Sequence, residues 1–152
     1  MVFGSPPQPP RQPYSNSWLP HPAGSLKLNF DAAVKPGSSV MGSGVGVRDS
    51  EGKIIVASTK PLLGFFSAEL GELLALLEGL LLAKELNLVI EWVELDAVNN
   101  VKALFRDVGV FNGHDIPRSR NRMAHSLASL AFSFKEEFCW FNPKPNFLVG
   151  LL

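Results

Sequence analysis

The sequence predicts an α/β fold: a mixed sheet, made of an antiparallel three-strand meander plus parallel strand, flanked by helices. Three observations carry that reading. From Leu26 to Ser58, strand-like runs alternate apolar and polar residues or are rich in small residues, with a turn sequence between them. Residues 67–88 form a leucine-rich helical block. A further strand-like run, Ile90-Glu91-Trp92-Val93-Glu94-Leu95, follows that block. A helix between two strands implies a right-handed crossover and parallel pairing.

The chain has 152 residues, a length suited to one domain with a core of its own. Hydrophobic residues make up 46%, which rules out wholesale disorder. The formal net charge of zero argues against a basic nucleic-acid coat or a polybasic membrane patch, so any polyanion site must be local. The charge is divided unevenly. Residues 1–99 hold seven Lys+Arg and ten Asp+Glu, and residues 100–152 hold seven and four. An acidic part therefore has to meet a basic part.

Residues 1–24 carry seven of the twelve prolines and no apolar period, so they are expected to form a disordered Pro-rich linker. Residues 25–152 are expected to form the folded domain. The opening decapeptide has neither a charged n-region nor an apolar h-region, so no secretory signal is expected. Gly71, Glu72, Glu78 and Lys84 break the leucine run, so no membrane span is expected either. With a single cysteine, Cys139, a disulfide framework is excluded and an intracellular, reducing compartment is expected.

The first strand is read at 26–34, where Leu26, Leu28 and Phe30 alternate with Lys27, Asn29 and Asp31. The second is read at 42–48. Its Gly42, Gly44 and Gly46 resemble a phosphate loop only superficially, because neither a GK[ST] sequence nor a helix follows; close packing of a strand is the better account. Asp49-Ser50-Glu51-Gly52 reads as a turn and residues 53–58 as the third strand.

Ser67 is a plausible N-cap for the helix. Its leucines surround the axis, leaving Gly71, Glu78 and Glu85 as a narrow polar stripe, and a helix apolar all round is expected to be central. Glu72, Ala75, Gly79 and Ala83 share one face, whose small residues would let the helix approach the sheet and carry Glu72 to it. Beyond the strand at 90–95, a short helix is read at 99–107, a strand stub at 108–111 and a last helix at about 119–138. The tail from Trp140 is expected to pack on the surface.

Three carboxylates stand out by position: Asp31 at the end of the first strand, Glu72 in the first turns of the helix, and Asp96 at the end of the parallel strand. Strand ends of an open sheet are the usual place for a site. Three acidic oxygens without a His–Cys set point to a hard cation such as Mg²⁺. Taken singly, each acid is better read as a cap or turn residue; the three together favour a site.

The surroundings of these acids resemble a family, the plant RNase H-like domains of the reverse-transcriptase-associated group related to non-LTR retrotransposons. Lys27-Leu28-Asn29-Phe30-Asp31-Ala32-Ala33 is similar to its KxNxDGA opening, and Gly44 through Arg48-Asp49 to Gly52 to its GxxxRDxxG hairpin. Glu72-Leu73-Leu74-Ala75-Leu76-Leu77-Glu78-Gly79-Leu80 resembles the AExxALxxGL helix, with Gly71 where alanine is usual. Val93-Glu94-Leu95-Asp96-Ala97 is similar to VExDS, and Arg118 through Asn121 to Ala124-His125-Ser126-Leu127-Ala128 to RExNxxAHxLA. Five motifs in the right order cover nearly everything from Ser25 onward.

The resemblance implies an RNase H-like mixed sheet with Asp31, Glu72 and Asp96 as metal-binding acids. It places His125 at the fourth acidic position, as a proton shuttle or simply as a partner of a nearby carboxylate. It assigns Asn29, Arg118 and Asn121 to substrate binding, or to bracing the loop and helix. The implied activity is endonucleolytic hydrolysis of the RNA strand of RNA–DNA hybrids through a two-metal Mg²⁺ site, with Mn²⁺ as a substitute. The implied partner is a nucleic acid; the sequence names no protein partner.

Only 24 residues, 97–120, separate Asp96 from Asn121, where the family places a helix, a parallel strand and a further helical stretch. The expectation is an internal deletion that truncates the last parallel strand. Leu70, Leu74, Leu77 and Leu81 would then be uncovered. The alternative is a catalytically inactive RNase H-like relic that serves as a weak nucleic-acid or protein interaction module.

Overall fold

The computed structural model describes residues 25–95 and 112–144. Six strands form one sheet in the order β5-β4-β1-β2-β3-β6. The strands β1 (Lys27–Val34), β2 (Val40–Arg48) and β3 (Ile54–Leu63) form the antiparallel meander. β1 matches its reading to within a residue, while β2 and β3 run beyond theirs, β3 through Lys60 and Pro61. In the turn between β2 and β3, Asp49 Oδ1 accepts bonds from the Glu51 and Lys53 amides, 2.9 Å each, and Gly52 takes the positive φ of 83°.

Helix α1 (Ala68–Glu85) begins at Ser67, whose hydroxyl accepts the Leu70 amide at 3.2 Å. It ends with Asn87 at φ 54° and a bond from the Leu88 amide to the Ala83 carbonyl, so asparagine fills the left-handed position usual for glycine. β4 (Trp92–Leu95) then pairs in parallel with β1, as expected, its last pair being Asn29 with Glu94. β1 thus lies between β2 and β4.

The face of α1 that meets the sheet carries Gly71, Glu72, Ala75, Gly79 and Ala83, all buried. A Cβ on Gly79 would lie 3.1 Å from Leu28 and 3.3 Å from Val45; one on Gly71 would lie 2.9 Å from Val34. Gly71 is therefore a packing residue, not part of a polar stripe. Leu28, Phe30, Met41, Val45, Val47, Val56 and Val93 form the core beneath the helix. Leu74 also packs partly against that core, contrary to the expectation that it is uncovered, whereas Leu70, Leu77 and Leu81 are exposed.

The opposite face of the sheet receives the second helix. The sequence predicts one helix over 119–138. Instead a 3-10 turn (Arg118–Arg120) leads into α2 (Arg122–Leu130), which tightens to a second 3-10 turn (Ala131–Ser133) and stops. Phe134 is extended, and β6 (Phe138–Phe141) pairs antiparallel with β3. The β-forming run Phe138-Cys139-Trp140-Phe141 outweighs the helical continuation. Phe138 and Trp140 contact at 4.7 Å between ring centroids, and Phe134 stacks on Phe138 at 5.5 Å. Trp140 is thus a strand residue and not the start of a surface tail.

The glycines of β2 face α2. A Cβ on Gly42 or Gly44 would lie about 2 Å from the carbonyl oxygen of Ala128 or Ala124, so a bare strand is what lets α2 sit down on the sheet. β5 (Asn112–Asp115) pairs in parallel with β4 and is four residues long. It follows the stub read at 108–111. Asn112 and Gly113 are weak strand formers, and position beside β4 decides the pairing. Residues 108–111, the short helix read at 99–107, the linker 1–24 and Asp96 lie outside the described residues. Among the described residues, no helix is long and apolar enough to cross a membrane.

Candidate active site

Asp31 lies two residues past the last pair between β1 and β4, where β1 no longer has β4 beside it. Its side chain is 1% exposed. The Ala32 amide donates both to Asp31 Oδ1 at 2.9 Å and to Glu72 Oε1 at 3.1 Å. Two carboxylates from elements 40 residues apart therefore meet on one backbone donor. Their oxygens are at most about 6 Å apart, the two bonds end to end. Gly71 makes this possible, since its missing side chain lets the first turn of α1 rest on Val34 and Ala32.

From the other face, His125 in the first turn of α2 brings Nδ1 to 2.8 Å from Asp31 Oδ2. The imidazole is half-exposed while the carboxylate is buried. Asp31 is thus held at both oxygens, by a backbone amide on one and a histidine on the other. Asp96, the next residue after β4, lies outside the described residues. Among the described residues, no three of His, Cys, Asp and Glu gather as a metal-binding group.

The residues assigned to substrate binding separate into two kinds. Arg118 is exposed, as is Arg122, beside the start of α2. Asn29 and Asn121 are buried, at 2% and 1% exposure. Asn29 Nδ2 donates to Asn121 Oδ1 at 3.4 Å, and Asn121 Nδ2 donates to the Phe30 carbonyl at 2.8 Å. Through these two bonds the asparagines tie the start of α2 to β1.

Behind the carboxylates, on the same face of the sheet, lies a set of charges that the sequence reading missed. Lys27 of β1 and Glu94 of β4 form a buried ion pair. Arg48 stands opposite Lys27 on β2, and burial lowers its pKa to about 10, an effect that Glu94 partly opposes. The signal was present: each of the three belongs to one of the motifs that also carry the acids and the hairpin.

The mixed sheet with helices on both faces, and acids meeting on its central strand beyond the last β1–β4 pair, define an RNase H fold. The chain belongs to the Reverse transcriptase-like family, whose model matches residues 29–108. Among solved structures, it is similar to LC11-RNase H1, isolated from compost by a metagenomic approach. That match has 18% identity and a TM-score of 0.56, and covers 72% of this chain and 96% of the other. A second structure of that protein, in complex with an RNA/DNA hybrid, matches with a TM-score of 0.58 at 18% identity, over 72% and 97% of the two chains. RNase H1 from Halobacterium salinarum NRC-1 matches at 18% identity with a TM-score of 0.55, over 72% and 98%. A search of curated proteins found no match.

Proposed function

We propose that this chain is a divalent-metal-dependent ribonuclease that cuts the RNA strand of RNA–DNA hybrids. The observation that carries the reading is the meeting of Asp31 and Glu72 on the Ala32 amide, beyond the last pair of β1 with β4. Hard carboxylate oxygens so arranged fit Mg²⁺, and Mn²⁺, which takes the same oxygen ligands, is an acceptable substitute. Asp31, Glu72 and Asp96 would hold the metal. When bound, it supplies Lewis acidity toward the water nucleophile and the leaving oxygen.

The chain's own residues do the remainder. The Ala32 amide and His125 fix the Asp31 carboxylate. The half-exposed His125 ring can take or give a proton at Nε2 while Nδ1 stays on Asp31. Arg118 offers a guanidinium to a backbone phosphate. A hybrid would be recognised by duplex shape and 2′-hydroxyls, not by base sequence. The similarity of one neighbour bound to an RNA/DNA hybrid supports this choice of substrate.

The plant retrotransposon-related grouping, the internal deletion before Asn121 and the two-part division at residue 25 belong to the same proposal. An assay on a labelled RNA–DNA hybrid tests it. Cleavage with Mg²⁺ or Mn²⁺, abolished by chelator and by Asp31→Asn, is expected. Hybrid binding without cleavage in either metal would replace the enzyme by the non-catalytic interaction module.

A further inference from the structure

We propose that Asn121 is a positioning residue, which sets His125 on Asp31 by anchoring α2 to β1. Asn121 occupies the N-cap position of α2, where an asparagine side chain ordinarily bonds the helix's own amides. It makes no such bond. Its Nδ2 crosses instead to the carbonyl of Phe30, the residue before Asp31, at 2.8 Å. The side chain is thus committed to β1 and not to the cap, which fixes where the helix begins.

The geometry makes the consequence local. The Asn121 carbonyl accepts the His125 amide at 3.1 Å, so one helical turn joins the anchor to the imidazole. The anchor lands on Phe30 and the imidazole lands on Asp31. Two adjacent residues of β1 are therefore tied to two residues one turn apart on α2. With the anchor cut, the packing of Met123 and Ala124 on β2 would still seat α2, but this side-chain hydrogen bond from the helix start to the residue before Asp31 would be lost. The buried Asn29 amide, 3.4 Å from Asn121 Oδ1, keeps the anchor's rotamer turned inward.

The inference rests on the proposed function only in taking the Asp31–His125 pair as part of a site, so its test has a readout independent of activity. The ¹⁵N shifts of the His125 ring, read through its carbon-bound protons, report which nitrogen carries the proton. In the wild-type full chain the Nδ1–H form is expected, because Asp31 accepts from Nδ1. Asn121→Ala and the isosteric Asn121→Asp, which loses the donor, should shift the ring toward the Nε2–H form that free imidazole prefers.

Leu127→Ala, a core change in α2 at a side chain packed with Ala57 and Met123, is the control for simple destabilisation and should keep the Nδ1–H form. Asn121 variants that keep that form, or a control that loses it to the same degree, overturn the inference, as does a wild-type ring without it. In the hybrid assay, kcat should fall about 10–100-fold with little change in KM. A rise in KM alone would make Asn121 a substrate-contacting residue and also overturn the inference. A wild-type chain that cleaves nothing ends the functional reading, while the ring tautomer still decides the positioning role.

Discussion

At the scale of single residues, the two acids share one backbone proton donor, and their like charges oppose each other across no more than about 6 Å, the 2.9 and 3.1 Å bonds end to end. Asp31→Asn keeps an oxygen for the Ala32 amide and removes that repulsion. The melting temperature of the metal-free protein should be equal or higher, while Mg²⁺ binding by calorimetry is lost. Wild-type protein at Mg²⁺ 100 times its Kd should gain about 2.7 kcal/mol of stability, and the variant none. A variant that is less stable, in a chain that binds no Mg²⁺, would make the acids structural. The sequence made Asp31 and Glu72 legible through their placement at a strand end and on a small-residue helix face. It hid the roles of Asn29 and Asn121, because a motif records that a polar residue is required and not whether its amide points inward or out.

At the scale of elements, α1 and α2 are held to the sheet by different means. α1 uses small residues on the helix, and α2 uses the bare strand β2. Gly44→Ala would place a methyl 2.1 Å from the Ala124 carbonyl oxygen, an atom in helix backbone that cannot swing aside. It should destabilise by about 3 kcal/mol in urea unfolding, and weaken hybrid cleavage further by lifting His125 from Asp31. Glu94→Gln removes the carboxylate of the buried Lys27–Glu94 pair, on β4 beside β1, and should cost about 3–5 kcal/mol. A loss below about 1 kcal/mol would mean that the charges are solvated. The meander, the crossover and α1 were legible because each has a repeating apolar pattern. β5 and β6 were not: Asn112 and Gly113 are weak strand formers, and Phe138 reads as the end of the helix at about 119–138 until the edge of β3 takes it up.

At the scale of the whole molecule, the exposed face of α1 sets the solution behaviour. Leu70, Leu77 and Leu81 are 44%, 49% and 46% exposed on one helix. Leu77→Gln with Leu81→Gln should reduce self-association in light scattering without lowering the melting temperature; unchanged association would place the sticky surface elsewhere. Removal of residues 1–24, which hold most prolines and no apolar period, should move the melting temperature by no more than about 2 °C. A larger loss would show that this segment packs on the domain. The sequence anticipated the leucine surface from the short connection after Asp96, but not that Leu74 turns inward.

The strand order has a consequence for synthesis. β3 is completed at Leu63, yet the strand that covers its outer edge begins at Phe138, 75 residues later. At 5–20 residues per second, a ribosome needs on the order of 4–15 s to cover that interval. During it, the row of amides and carbonyls on β3 is an open template beside other nascent chains. Lys60 and Pro61 sit within that strand, a charge and a missing donor of the kind that keep an edge from pairing with the wrong partner until β6 arrives.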